Sequence, residues 1–574
     1  MNVTLAQRTT SPKSGTEPGL ASHESVGDAI ARALADIGVT TAFGVISIHN
    51  MPILDAIARQ GRIRFIPARG EAGAMNMADA YARVSRSLGV CITSTGTAAG
   101  NAAGSQVEAL TAGSPVLHIT TQVDREFVDR DRAAIHDVPR QPDMLKAISK
   151  NYLRMWEPAA AVDTLLSAAV EALTAPTGPV TLEIPVDVQR ASVAVRPLPG
   201  MPPVPLRSPD PRQLDTLAAL IRSARRPLLW LGGGARGAAL AATELVERGF
   251  AAVTSTNGRA VVPEGHPRNL GAFNMTPEAQ DIYDRADLMI VVGSRLRGNE
   301  TQNNKMRLPR LVQIDADPAQ GARNYPVDLF VTGDARLVLE GLLARLPATL
   351  DTDATFLGAI ALTRATAETA LRAGLGPYVS LADTLSRRVQ EGAHPWVRDV
   401  TISNSTFGNR YVRLAAPHLG VHALGGGIGQ GLAMGIGASM ASAAKTVTLL
   451  GDGGTQLMIG EFATAVEAQA NIVFVLMNDR GYGVIRNIQD AQYDSRHVYS
   501  NILTPDFSLV CRAVGLPHQR INTIAAFDAA FERAMATPGP QLIEVDMVTI
   551  GPFSRSFAGP PAGAAGKPSG DSVA

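Results

Sequence analysis

Residues 451–485 read GDGGTQLMIGEFATAVEAQANIVFVLMNDRGYGVI, two turn-and-glycine clusters separated by a helical run and a strand-like run. The segment TVTLL (446–450) precedes them, apolar and β-branched as a buried strand is. It ends in Gly451-Asp452-Gly453-Gly454-Thr455, where glycines let backbone N–H groups approach an anion and a carboxylate stands at the strand's carboxyl end. Leu457, Phe462, Ala465, Val466 and Ala468 follow at roughly helical spacing, which predicts one helix closed by Asn471. NIVFVLM (471–477) predicts the next buried strand, and it ends in Asn478-Asp479-Arg480-Gly481-Tyr482-Gly483. Two neighbouring parallel strands therefore each deliver a carboxylate to the same sheet edge, where open α/β sheets bind ligands. Two carboxylates beside glycine-rich backbone suit a hard divalent cation bridging to a phosphorylated ligand. An ordinary βαβ unit with a glycine turn is the plain alternative; the full spacing, followed by Gly-Tyr-Gly, tells against it.

Upstream in the same C-terminal domain (376–555), ISNSTFGNR (402–410) is a polar loop after a short strand. Gly425-Gly426-Gly427-Ile428-Gly429-Gln430-Gly431-Leu432 then leads into the helix AMGIGASMASAA. The N-terminal domain (24–190) alternates predicted helices and strands: helix 26–37, strands 40–45 and 63–69, helix 72–85, strands 89–95 and 116–122. That alternation implies a parallel sheet covered on both faces. Glu71 stands between a strand and a helix of small residues, where a carboxylate also suits the helix dipole. GPVTLEIPVD (178–187) and GPQLIEVD (539–546) each follow an alanine-rich helix, a weak internal repeat that fits two duplicated end domains.

These motifs resemble the thiamine-diphosphate enzymes of the acetolactate-synthase-like group, over roughly 24–555. Gly-Asp-Gly, a spacer of a little under thirty residues and an Asn pair form the family's metal motif; here the pair is Asn478-Asp479. The resemblance implies that Asp452, Asp479 and the Gly481 carbonyl hold Mg²⁺. Gly451, Gly453, Gly454, Tyr482, Gly483, Val484 and Ser405 would then surround the diphosphate. The glycine loop is similar to the family's GGxGxMGxxLPxAIGA, which puts Ile428 under the bent cofactor and offers the Gly426 carbonyl to its exocyclic amine. Met77-Ala78-Asp79-Ala80-Tyr81-Ala82-Arg83, the turn 94–101 and Gln122 match the family's N-terminal motifs in order. Glu71 would hydrogen-bond the pyrimidine ring nitrogen and favour the imino tautomer, whose exocyclic nitrogen takes the proton from the thiazolium carbon.

Departures bear on substrate. Relatives read FGxPG where this chain reads Phe43-Gly44-Val45-Ile46-Ser47-Ile48-His49-Asn50, and the histidine of benzoylformate decarboxylases is matched by Ser94. His49 is a catalytic candidate at the substrate or a loop histidine bonded to backbone; His136 is a second candidate of the same kind. The resemblance implies a 2-oxo acid or related carbonyl substrate, decarboxylase or carboligase chemistry, and a homodimer or homotetramer with sites between subunits. Rival readings are a flavin-linked oxidase on the same scaffold, a 1,2-diketone or acyloin lyase, and a cofactor-binding relative without catalysis.

The central domain (205–345) follows the Pro-rich linker 195–211 and opens with PLLWLGGGARGA (227–238). GGGARG (232–237) does not satisfy G-x-G-x-x-G with its partner context, and no acidic residue ends the next predicted strand, AAVTST (251–256), which runs into Asn257-Gly258. FAD or an adenine nucleotide occupies this domain in some relatives; here an empty, structural role is expected. The fold class is thus α/β, with three doubly wound parallel-sheet domains.

Composition agrees. A length of 574 residues suits about three domains, and Lys plus Arg equals Asp plus Glu at 52 each, so no nucleic-acid or anionic-membrane partner is indicated. Cys91 and Cys511 sit in apolar runs, too few for a disulfide framework. The absence of an apolar signal core or spanning run leaves a cytoplasmic protein as the expectation. Residues 1–23 and 560–574 read as flexible tails, 484–500 as channel lining, and Phe553 and Phe557 as a cover or a docked tail.

Overall fold

The computed structural model describes residues 22–197 and 200–555. Most of the expected N-terminal tail, the tail 560–574 and Phe557 lie outside the described residues; His23, assigned to the tail, is in a short strand paired antiparallel with Ser192–Ala194. Three parallel sheets flanked by helices form the three expected α/β domains. The N-terminal sheet runs, in spatial order, Arg64–Pro67, Thr41–Gly44, Gly89–Thr93, Val116–Gln122, Val180–Pro185, Asn151–Arg154. The C-terminal sheet runs Gly420–His422, Trp396–Arg398, Thr446–Gly451, Ile472–Asn478, Gln541–Asp546, His518–Ile521. Each starts at its second position, steps to one edge, then winds to the other. The repeat segments 178–187 and 539–546 supply the fifth strand of each sheet, so the faint sequence likeness marks equivalent positions. Both strands are buried on both faces, which makes them read as nearly continuous apolar runs.

The central sheet has five parallel strands, in the order Ala251–Thr254, Pro227–Leu231, Leu288–Val292, Leu311–Asp315, Leu329–Thr332. Its glycine turn is filled by backbone: a Cβ on Gly232 would strike the carbonyl of Gly293. A helix not anticipated from the sequence, Ala354–Leu375, leads out of this domain; Phe356 and Ile360 pack into the central core and Leu375 into the C-terminal one.

The two end domains share a core. Helix Glu71–Ser85 packs on helix Gly431–Met440, and Met75, Met77 and Tyr81 join Leu432, Ile436 and Phe462 in one apolar cluster. The small residues permit this closeness, since a Cβ on Gly437 would strike the Met77 carbonyl. The single helix expected after Gly454 is a correction. The chain forms Asp452–Thr455, a 3₁₀ turn Gln456–Met458 and then Glu461–Glu467, and it leaves the helix before Asn471, with Gln469 at φ +49°. Leu457 is exposed, so its helical spacing reported no buried stripe. Phe553 is a docked tail residue, its ring 4.7 Å from that of Tyr378. Cys91 and Cys511 are free and buried. Among the described residues no helix is long and apolar enough to cross a membrane.

Candidate active site

Strands Thr446–Gly451 and Ile472–Asn478 pair in register with Gly451 opposite Met477, so Asp452 and Asp479 leave the sheet side by side. Asp452 is 1% exposed. Its Oδ1 accepts the Asp479 N–H at 3.2 Å; its Oδ2 accepts the Gly481 N–H at 2.8 Å and the Thr504 hydroxyl at 3.2 Å. One carboxylate thereby folds the 479–481 turn, and Gly481 takes φ +144°, which favours glycine. Asp479 pairs with Arg486 at 2.8 Å, and Arg486 also donates to the Asp479 carbonyl at 2.7 Å. A Cβ on Gly483 would run into the Asp479 carboxylate, so a larger residue at the start of helix Gly483–Gln492 would have to displace it. Tyr482 and Val484 flank it, half-buried.

Burial, then the neighbouring Asp452 charge, pushes Asp479 up to about 7, with Arg486 opposing. Asp452 is buried and Asp479 half-buried, and among the described residues the one ion pair at this carboxylate pair is that of Asp479 with Arg486. The Gly481 carbonyl lies on the same turn, 2.7 Å from where a Cβ on Gly453 would stand. Two carboxylates and a carbonyl oxygen are donors that fit a hard divalent cation. Among the described residues no cluster of three or more His, Cys, Asp or Glu side chains offers another metal site.

The glycine-rich loop is fastened at both ends. The Leu424 and Gly425 N–H groups donate to Glu108 at 2.7 and 2.6 Å. Glu108 comes from the N-terminal domain and is buried against Arg83, which also pairs with Asp79 and donates to the His422 carbonyl. The Gly429 N–H donates to Asp399 at 2.9 Å. Burial pushes Asp399 up to about 7, opposed by the N–H groups of Val400, Gly431, Gly429 and Gln430. Between these anchors Gly426 has φ +83° and Ile428 is held 39% exposed, an apolar side chain on a polar loop. Ser405 lies half-buried in the turn Asn404–Gly408; beside it the Ser403 hydroxyl and the Asn404 side-chain Oδ1 are buried with no hydrogen-bond partner among the described residues. Orphaned buried polar atoms at a sheet edge fit a polar ligand.

At the corresponding edge of the N-terminal sheet, Glu71 is the first residue of its helix, half-buried, and accepts from the Asn101 amide at 3.1 Å. Burial, then the Glu71 charge, pushes the Cys91 thiol up. The two candidate histidines meet: the rings of His49 and His136 are edge to face at 5.4 Å. His49 is buried, its Nδ1 has no partner among the described residues, and burial followed by His136 lowers its pKa. The Ser94 hydroxyl meets that of Ser47 at 2.8 Å, so Ser94 supports the His49 loop.

Comparison with known proteins matches all three domains. Residues 24–144 match the thiamine pyrophosphate enzyme N-terminal TPP binding domain, 214–342 the central domain and 402–545 the C-terminal TPP binding domain. The chain is 30% identical over 529 residues to the probable 2-ketoarginine decarboxylase AruI of Pseudomonas aeruginosa, covering 91% of this chain and 94% of that protein. This chain belongs to the thiamine-pyrophosphate-dependent enzymes. Other members include an acetolactate synthase of Arthrospira platensis, 28% identical over 540 residues (88% and 91% of the two chains), and a probable acetolactate synthase large subunit of Methanocaldococcus jannaschii, 26% identical over 543 (90% and 91%). Against that identification, the residues not singled out in the sequence are Asp399, Glu108, Arg486 and Thr504. Only Asp399 carried a signal, as a carboxylate directly after a short strand; the others depend on contacts between distant segments.

Proposed function

We propose that this thiamine-pyrophosphate enzyme makes or breaks a carbon–carbon bond next to a carbonyl, as an acetolactate-synthase-like carboligase or a 2-oxo acid decarboxylase, with Mg²⁺ as its second cofactor. The observation that carries this reading is the pair of buried Asp452 and half-buried Asp479, joined through the Gly481 turn at the carboxyl edge of two paired strands. Asp452, Asp479 and the Gly481 carbonyl would hold Mg²⁺. Gly451, Gly453, Gly454, Tyr482, Gly483, Val484 and Ser405 would surround the diphosphate. Bound thiamine diphosphate supplies a carbon nucleophile for a carbonyl and takes up the electron pair left by a departing neighbour. Glu71 would hold a proton at the pyrimidine ring nitrogen, oriented by Asn101. Ile428 would support the cofactor from below, and the Gly426 carbonyl would accept from its amine. His49, whose Nδ1 has no partner among the described residues, would present a polar group to the substrate.

The sites are proposed to lie between two chains, Glu71's domain from one and the metal domain from the other, in a homodimer or homotetramer. Exposed apolar side chains support this: Ile46, Ile48 and Ile135 at the Glu71 edge, and Ile428, Leu457 and Ile485 at the metal edge. The central domain is proposed to hold no flavin, because its glycine turn is taken up by the backbone of Gly293.

The test is a panel of 2-oxo acids and 1,2-diketones, including 2-ketoarginine and pyruvate, given to enzyme loaded with thiamine diphosphate and Mg²⁺, with products identified by mass spectrometry. A decarboxylase yields the aldehyde one carbon shorter; a carboligase yields a hydroxyketone or hydroxy-oxo acid. No product from any member would refute the proposal.

A further inference from the structure

Helix Glu71–Ser85 has no side-chain cap of its own. The cap comes from the other end of the chain. Glu461, 2% exposed at the start of helix Glu461–Glu467 in the metal domain, accepts the backbone N–H groups of Arg69 and Gly70, each at 3.1 Å. Its second oxygen accepts the Thr464 hydroxyl at 2.6 Å, which fixes the carboxylate's rotation. A Cβ on Gly73 would collide with the same carboxylate, so the acid lies directly on the first turn of Glu71's helix. Around it, Arg69 pairs with Glu467, and Arg64 donates to the Ala468 carbonyl at 2.5 Å. The two hydrogen-bonded residues immediately precede Glu71.

We infer that Glu461 is a positioning residue for Glu71: by holding Arg69 and Gly70 it sets where the Glu71 carboxylate stands. The inference rests on the role given to Glu71 under the proposed function. Two backbone bonds to a carboxylate are strong ones, and they act on the residues that set the helix's entry angle. A displacement of about 1 Å at a reacting group costs roughly 10²-fold in rate. Glu461 touches neither the metal-loop carboxylates nor the glycine-rich loop in any hydrogen bond, so its loss should spare cofactor binding.

The experiment uses the full chain loaded with thiamine diphosphate and Mg²⁺. Three quantities are measured: deuterium exchange at the cofactor's thiazolium C2 by NMR, amide exchange of peptides spanning 67–75 by mass spectrometry, and cofactor affinity by calorimetry. Glu461→Ala should slow C2 exchange by about 10²-fold, the cost of a misplaced group. It should also speed amide exchange at Arg69 and Gly70 and leave cofactor affinity unaltered. Glu461→Gln keeps an oxygen that the two N–H groups can share and should retain most of the C2 rate. Gly73→Ala pushes the carboxylate away from the opposite side and should reproduce Glu461→Ala. In a Glu71→Gln background, Glu461→Ala should add nothing, because the two act through one group. Wild-type C2 exchange in Glu461→Ala, or an undiminished effect in the Glu71→Gln background, would overturn the inference. Should Glu461→Ala not fold, wild-type C2 exchange in Gly73→Ala overturns it equally. Wild-type C2 exchange in Glu71→Gln itself would overturn Glu71's proposed role, and this inference with it.

Discussion

Replacing Asp452 by alanine removes more than a metal ligand. Its carboxylate accepts the N–H groups of Asp479 and Gly481 and the Thr504 hydroxyl, so it also holds the turn that carries the other two metal donors. Each hydrogen bond to a charged group is worth about 1.5–3 kcal/mol, so losing the two backbone bonds costs at least about 3 kcal/mol of turn order. One effect has the opposite sign. Asp452 contributes to raising Asp479, so its removal makes Asp479 easier to ionise and leaves it paired with Arg486. Set against the lost turn order, that returns about 1.4 kcal/mol for each pKa unit relieved. With one unit relieved, the net of at least about 1.6 kcal/mol predicts thiamine diphosphate binding weaker by at least about 15-fold, before the missing ligand is counted.

Calorimetric titration of thiamine diphosphate at fixed Mg²⁺, repeated after EDTA treatment and Mg²⁺ restoration, measures this. Asp452→Asn keeps one oxygen for the Gly481 N–H and should lose less. Circular dichroism should show both variants folded. Cofactor affinity at the wild-type level in Asp452→Ala, or indifferent to EDTA and Mg²⁺ in the wild type, would refute the metal-loop reasoning.

Glu71→Gln should keep fold and cofactor binding but slow turnover by about 10²–10⁴-fold, the range for a general acid–base group; near-normal turnover would remove Glu71 from the mechanism. Asp399 holds its proton more tightly folded than unfolded, so its contribution to stability falls as pH rises from about 4 to about 7 and is level above. Urea unfolding of the cofactor-free protein at pH 5 and 8 should show less of that fall in Asp399→Asn than in the wild type, and equal slopes would contradict the assignment. Purified protein should release no flavin on denaturation, and a yellow preparation would show the central domain misread. Mixing Glu71→Gln with Asp452→Ala chains should restore activity through sites built from one intact domain of each; verified subunit exchange without activity rules out shared sites.

The fold was legible because its strands are buried on both faces and therefore read as β-branched runs, such as 446–450 and 471–477. Strand ends came with glycine and a carboxylate, so the chemistry stood where the backbone turns. The helix after Gly454 was misread because spacing alone does not register a break. Leu457 and Phe462 are five apart, yet one is exposed in the 3₁₀ turn and the other fully buried in the next helix, with Gly460 between them. Helix Ala354–Leu375 went unread because few of its residues are buried, so it presents no apolar stripe.

What the sequence could not disclose has a common physical form. Asp399, Glu108 and Glu461 are buried carboxylates whose partners are mainly backbone N–H groups: Gly429 for the first, Leu424 and Gly425 for the second, Arg69 and Gly70 for the third. A backbone donor has no residue identity, so neither motif nor spacing points to it; the Glu461 contact spans 391 positions. Each such carboxylate would be costly alone in the interior, and each is made tolerable by the donors it collects. The collected donors belong to loops or helix starts that carry Ile428 or Glu71. The duplicated sheets supply two equivalent edges, and sequence motifs state what stands on each. The buried acids then decide how firmly those groups are held, which makes them the positions where a conservative substitution should alter rate while leaving the motifs intact.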